Sequence, residues 1–331
     1  MAASRARPAE ESAGAGESTI EPQDGLERGT EVRLHLKAGL DEFTDGYRLK
    51  HVVKKYSTFI PHPILLNGEQ LNEQRPIWVE PKSQLTEDQY VRFYQHLSHH
   101  TEEKPLWHLH LSADSPIQFH AILYCPQTNF ERLGFGRSEH GLHLCAKRIL
   151  VQDNNRDLLP EYLRFLYGLV DSADLPLNVS RESLQDNTIF RKIRKVLVKR
   201  VLEHLAKLAE DEPERYRTFF EQFGPALREG VATDFEHREQ VAQLLRFPSS
   251  RNKDEPTSLD AYLERAGEKH KPIYYLGGPE LSSDEHSPNL EIFRQRNLEV
   301  LYLTDPLDEV VLSNLGQYKG HPLVSIDAAV V

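Results

Sequence analysis

Between residues 188 and 210, Ile189, Ile193, Leu197, Val201, Leu205 and Leu208 recur at spacings of three and four. That period puts all six on one side of an α-helix and predicts an amphipathic helix over the whole stretch. Such a helix has to lay its apolar stripe on a core. A chain of 331 residues, at roughly 150 residues per domain, has material for about two. The other side of the helix carries Arg191, Lys192, Arg194, Lys195, Lys199 and Arg200. We read these as a solvated face whose charges pair with nearby acids. Nucleic-acid binding would want interleaved aromatics, and only Phe190 qualifies. The net charge of −11 also opposes a polyanionic partner.

The end of the chain alternates. Apolar runs at 272–276, 298–304 and 321–326 predict strands, and helical patterns at 288–296 and 306–315 lie between them, the first opened by Ser287-Pro288. This βαβαβ order implies a parallel sheet with helices packed on it. Upstream, strands are predicted at 30–37, 106–112, 117–125 and 142–152, and helices at 41–57, 86–100 and 160–170. Residues 126–141 form a long irregular loop that carries Phe130, Leu133 and Phe135. Residues 171–187 are a second loop, where Asn178 or Ser180 can cap a short helix beginning near Arg181. Residues 215–246 read as helices broken at Gly224-Pro225 and Gly230, followed by a polar link at 247–257. Residues 1–28, rich in Ala, Glu, Ser and Gly, read as a largely disordered tail.

Most chemical motifs have plain readings. Gly277-Gly278 follows a strand but lacks a phosphate-loop pattern, so it is a turn. His96 and His100 share a helix face without the Glu or the third ligand of a zinc site, so no metal is expected. His108 and His110 share a strand face, solvated or at the core edge. Cys125 and Cys145 sit in apolar strands and read as buried reduced thiols. No apolar run reaches the ~18–20 residues of a membrane span, and the first residues lack a signal-peptide core, which predicts a cytoplasmic protein without a membrane partner. Arg181 stands out as a guanidinium on a polar loop, with Gln185 on the same helix face. On composition it is either a surface Arg–Glu pair or an arginine reaching a phosphate made elsewhere.

Residues 160–187, PEYLRFLYGLVDSADLPLNVSRESLQDN, resemble the middle domain of the ninety-kilodalton heat-shock chaperone family. The likeness continues through RGTEVRLHLK (28–37), RLKHVVKKYSTFI (48–60), RPIW (75–78), TSLDAYLER (257–265), PIYYLGG (272–278) and LEVLYLTDPLDE (298–309). It covers about residues 11–327. The fold it implies is α/β. A strand-helix remnant of the family's N-terminal ATPase domain spans 29–60. A large α/β/α subdomain spans 62–187, a helical connector 188–250, and a small α/β/α subdomain 255–327.

The resemblance also implies roles. In the family, the Arg of the SRE motif reaches the ATP γ-phosphate when the domains close. Here that residue is Arg181, and Gln185 is a second member of the same catalytic loop. Thr30 would stand near the adenine network, but only beside an ATPase domain. Trp78, Phe130, Leu133 and Phe135 fall where the family contacts client proteins or the neighbouring domain. ATP and Mg²⁺ belong to the complete protein, a homodimer. This chain looks like a fragment without the nucleotide pocket, expected to be monomeric, to bind no cofactor alone and to hydrolyse nothing alone. Two further readings stay open at this point: an ATP-independent holdase acting through its apolar loops, and an enzyme built on the βαβαβ unit.

Overall fold

The computed structural model describes residues 7–12, 18–23, 28–72, 76–98, 102–115, 117–134, 141–176, 187–267, 272–277 and 288–327. They divide into two units, Met1–Leu49 and Lys50–Val331.

In the first unit, β1 (Arg7–Ser12) and β2 (Ser18–Gln23) form an antiparallel hairpin, Arg7 opposite Gln23 and Ser12 opposite Ser18. The composition predicts a tail here. Backbone hydrogen bonds alone can close a hairpin, and composition is blind to them. The strand predicted at 30–37 does not form. Val32, Leu34 and Leu36 are exposed. An alternating segment becomes a strand only when another strand pairs with it, and no described residue does so. Asp45 accepts a hydrogen bond from the Arg48 backbone N–H (3.0 Å) at the start of α1 (Gly46–Tyr56).

The second unit is organised around two sheets. A short hairpin, β3 (Leu65–Leu66) with β4 (Glu69–Gln70), precedes them. The larger sheet contains β5 (Trp107–Ala113), β6 (Phe119–Cys125), β7 (Leu142–Ala146), β8 (Ile149–Asn155) and β9 (Tyr167–Ser172), in the order β5-β6-β9-β7-β8. Alternate side chains point to opposite faces, and both faces are covered. On one face Ile122, Tyr124, Cys145 and Leu169 pack with Trp78 and with Tyr90, Phe93 and Tyr94 of α2 (Glu87–Ser98). On the other, Ala121, Leu123, Leu144 and Val170 pack with α3 (Thr188–Asp211) and α4 (Pro213–Thr233). All six apolar positions that predicted α3 lie on its packed side.

The central strand β9 replaces the helix predicted at 160–170. Only Glu161–Leu163 makes a helical turn there. Leu163, Leu166 and Val170 carry helical spacing, yet Leu169 and Val170 are buried on opposite sheet faces. Gly168 sits where a Cβ would come within 2.3 Å of the Ile122 carbonyl oxygen, so close strand contact decides the matter.

Nor does α4 break at Gly224-Pro225 or at Gly230. Pro225 lacks the N–H that would bond to the Glu221 carbonyl. That carbonyl instead accepts a hydrogen bond from the Arg132 guanidinium, and the Gln222 carbonyl accepts one from Asn129 Nδ2 (3.0 Å). Gly230 gives room to the Tyr162 ring, which a Cβ would meet at 2.7 Å.

After α5 (Arg238–Gln243) and α6 (Leu259–Ala266) comes the second sheet. Its strands are β10 (Ile273–Gly277), β11 (Val300–Leu303), β12 (Gln317–Tyr318) and β13 (His321–Ser325), ordered β11-β10-β13-β12. As expected, β10 is parallel to both β11 and β13. Helices α7 (Pro288–Gln295) and α8 (Asp308–Leu315) flank it. The core under α3–α5 runs on without a gap into Ile273, Tyr275, Leu301 and Val311. Within it, Arg228 of α4 donates to Asp308 of α8, and both are buried. Burial raises the Asp308 carboxyl above its usual range, with Arg228 opposing.

Two stability outcomes follow. Gly230→Ala should cost about 1–3 kcal/mol in urea denaturation, because the Tyr162 ring has no room to yield. Arg228→Met, which strands Asp308 without its cation, should cost about 3–5 kcal/mol, and adding Asp308→Leu should recover most of it.

Candidate functional site

Arg181 and Gln185 lie within 177–186, outside the described residues, and the described chain reaches the two ends of that segment. At its entry, β9 ends in Asp171 and Ser172, both buried. Ser172 Oγ donates to the Gln118 carbonyl (2.7 Å) and accepts from the Asp174 backbone N–H (3.3 Å). Asp174 Oδ2 accepts from the Gln118 N–H (3.1 Å), and Leu175 is buried. At its exit, Asn187 caps α3, its Oδ1 accepting from the N–H groups of Ile189 (2.8 Å) and Phe190 (3.3 Å). Apolar spacing alone does not reveal this cap, although an Asn directly before the first helical residue is its ordinary sign.

Asp171 is the end of a buried polar chain. Its Oδ2 accepts from Trp78 Nε1 (2.9 Å) and its Oδ1 from the Arg148 backbone N–H (3.1 Å). The Trp78 carbonyl contacts His110 Nε2 (3.0 Å), and His110 Nδ1 contacts the Tyr90 hydroxyl (2.8 Å). Burial lowers the His110 pKa, so the ring is neutral at neutral pH and carries one proton. A carbonyl only accepts, which places that proton on Nε2 and makes Tyr90 the donor to Nδ1.

Trp78 therefore does not stand on the surface, and its assignment as a client contact is corrected. It is fully buried, edge-on to Phe59 at 4.6 Å and near Phe93 at 5.6 Å. The tripeptide around it, Ile77–Val79, is one helical turn. An indole in such a short polar-flanked segment looks exposed in sequence; the aromatic neighbours and the Asp171 partner, 93 residues away, hold it inside.

The other candidates divide. Phe130 is half-buried and lines a small cavity with Arg164, Phe165 and Phe223. Its turn is pinned to α4 through Asn129, whose N–H donates to Gln222 Oε1 (3.1 Å). The Leu133 side chain and Phe135 lie outside the described residues. Thr30 is exposed. The cations of α3 behave as a solvated face: Lys195 pairs with Glu236, and Lys199 and Arg200 with Glu203. Cys125 and Cys145 are free, buried thiols held protonated by burial. Among the described residues, no three His, Cys, Asp or Glu side chains group as a metal would require, and no helix is long and apolar enough to cross a membrane.

Set beside known proteins, residues 65–330 match the family model described as Hsp90 protein. The chain belongs to the Hsp90 family. Among its Hsp90 relatives, the chaperone protein HtpG of Desulfotalea psychrophila is 42% identical over 319 residues, covering 96% of this chain and 51% of that protein. HtpG of Escherichia coli O1:K1 / APEC is 38% identical over 330 residues, covering 96% and 53%. The mitochondrial TNF receptor-associated protein 1 homolog of Dictyostelium discoideum is 38% identical over 322 residues, covering 96% and 45%. The chain spans about half the length of the curated Hsp90 relatives it matches.

One pH effect is expected of this Hsp90 chain. His204 of α3 packs against Trp107 (ring centroids 4.7 Å apart), and burial pushes its pKa down from 6.5 to about 4. The unfolded chain then takes up a proton in a range where the folded chain does not. Stability is fully present above about pH 6.5 and is lost as pH falls toward 4, by about 2 kcal/mol at pH 5 from this group. His204→Phe should flatten that part of the profile in urea midpoints measured from pH 7 to 5.

Proposed function

We propose that this chain acts as the middle segment of an ATP-dependent molecular chaperone of the cytoplasm. In this reading it supplies Arg181 to the γ-phosphate of ATP, with Gln185 beside it, and offers a surface to unfolded client proteins. The match of residues 65–330 to the Hsp90 model carries the reading. ATP and Mg²⁺ are assigned to the N-terminal ATPase domain. What is asked of this chain is one guanidinium, which offsets charge developing on a transferred phosphoryl group and helps hold the domains closed. The firm roots at Ser172–Leu175 and at Asn187 support it, because a group that meets a phosphate across a domain boundary needs fixed ends.

Client contact falls to Phe130, Leu133 and Phe135. Thr30 is assigned to the adenine network, within an assembly that includes the ATPase domain. The chain alone is proposed to be monomeric and the complete protein dimeric, with stress-linked folding of other proteins as its task.

The test joins the ATPase domain of a relative in front of this chain and measures ATP turnover. Arg181→Ala should lower kcat by about tenfold or more while the nucleotide Kd changes little. Equal turnover in an active fusion would remove Arg181 from the reaction and favour the ATP-independent holdase.

A further inference from the structure

Among the described residues, five non-glycine positions have positive φ, and only two of them are neighbours in the chain. Lys147 and Arg148 have φ of 52° and 67° and form the two-residue turn between β7 and β8. A hairpin turn with positive φ at both positions favours Asn-Gly, and a Lys-Arg pair there is strained. The strain is held by a dedicated contact, because the Arg148 N–H donates to Asp171 Oδ1 (3.1 Å). Lys147 is exposed and Arg148 half-buried, and among the described residues neither side chain has an ion partner.

Their position is as telling as their strain. Strand β7 runs parallel to β9, Cys145 beside Asp171 and Ala146 beside Ser172. The turn thus lies at the carboxyl end of that parallel pair, level with the residues from which β9 enters segment 177–186. Strands β7 and β9 are the parallel pair of an otherwise antiparallel sheet, and in mostly parallel α/β sheets the carboxyl ends are where ligands gather. Asn-Gly is the pair that suits such a turn best. This chain keeps two cations and stabilises the turn through a buried carboxylate.

We propose that the Lys147–Arg148 turn is an anion-contacting element that presents both cations to the phosphates of the nucleotide carried by the ATPase domain. This rests on the reading in the preceding section and adds to it a second cationic contact, independent of Arg181. The experiment uses the full chain behind the ATPase domain, with Lys147→Asn and Arg148→Gly combined. Those residues suit the turn better than the native pair and carry no charge.

The expected result is an equal or higher Tm with ATP turnover lowered by about tenfold or more, and a shallower loss of turnover with added salt. Lys147→Arg with Arg148→Lys keeps the charges and should keep turnover. Turnover within about twofold of the parent for the Asn-Gly chain would overturn the proposal, as would a lower Tm, which would show the native pair suits the turn. Arg181→Ala, measured alongside, reports on the earlier reading separately. A loss in one variant without the other upholds one assignment and ends the other, and no loss in either ends both.

Discussion

A carboxylate at the end of a central strand is an expensive object to bury, and the larger sheet is built around one. Asp171 is nearly inaccessible to water, and a charge in that position persists only if donors replace its hydration. It receives one from an indole and one from a turn amide, drawn from segments far apart in sequence. Satisfying it sets the depth of Trp78 and so the seat of the aromatic cluster with Phe59 and Phe93. The same contacts hold the Lys147–Arg148 turn level with the end of β9. Polar networks of this type are demanding. Fully paired they specify one arrangement, and half-paired they are worse than an apolar core.

The two sheets are joined differently. Their connection is mostly apolar, a single core carried through α3, α4 and α5. An apolar contact area tolerates sliding, because the hydrophobic effect has no direction. The buried Arg228–Asp308 pair supplies the direction, since a guanidinium meets a carboxylate in few geometries. The apolar contact supplies most of the adhesion, and the ion pair fixes how α8 lies on α4.

What could be read from the sequence depended on how far each signal reaches. The apolar period of α3 and the alternation that makes β10, β11 and β13 are local, and both appear in the structure as read. Features decided by a distant partner do not show in the local sequence. Residues 30–37 have a strand's pattern but find no described partner, whereas Gly168 draws a helical-looking segment into the sheet. Pro225 reads as a helix break because the sequence does not show Arg132 supplying a donor from 93 residues upstream of it. Of the candidate site, Arg181 and Gln185 are named by the resemblance of residues 160–187 to the family, and both lie outside the described residues. Asp171 was not legible, because a lone acid at the end of an apolar run gives no hint of its two donors.

The splice at Pro225 has a mechanical side. A continuous helix resists bending through its own ladder of hydrogen bonds, but α4 lacks a rung at its midpoint, and the carbonyl left free there accepts from Arg132 of another part of the chain. Its stiffness there belongs partly to the turn at Phe130–Leu133, which also holds Asn129 against Gln222. Loss of that turn would leave the Glu221 and Gln222 carbonyls without these donors at the one point where the helix is not braced by its own ladder.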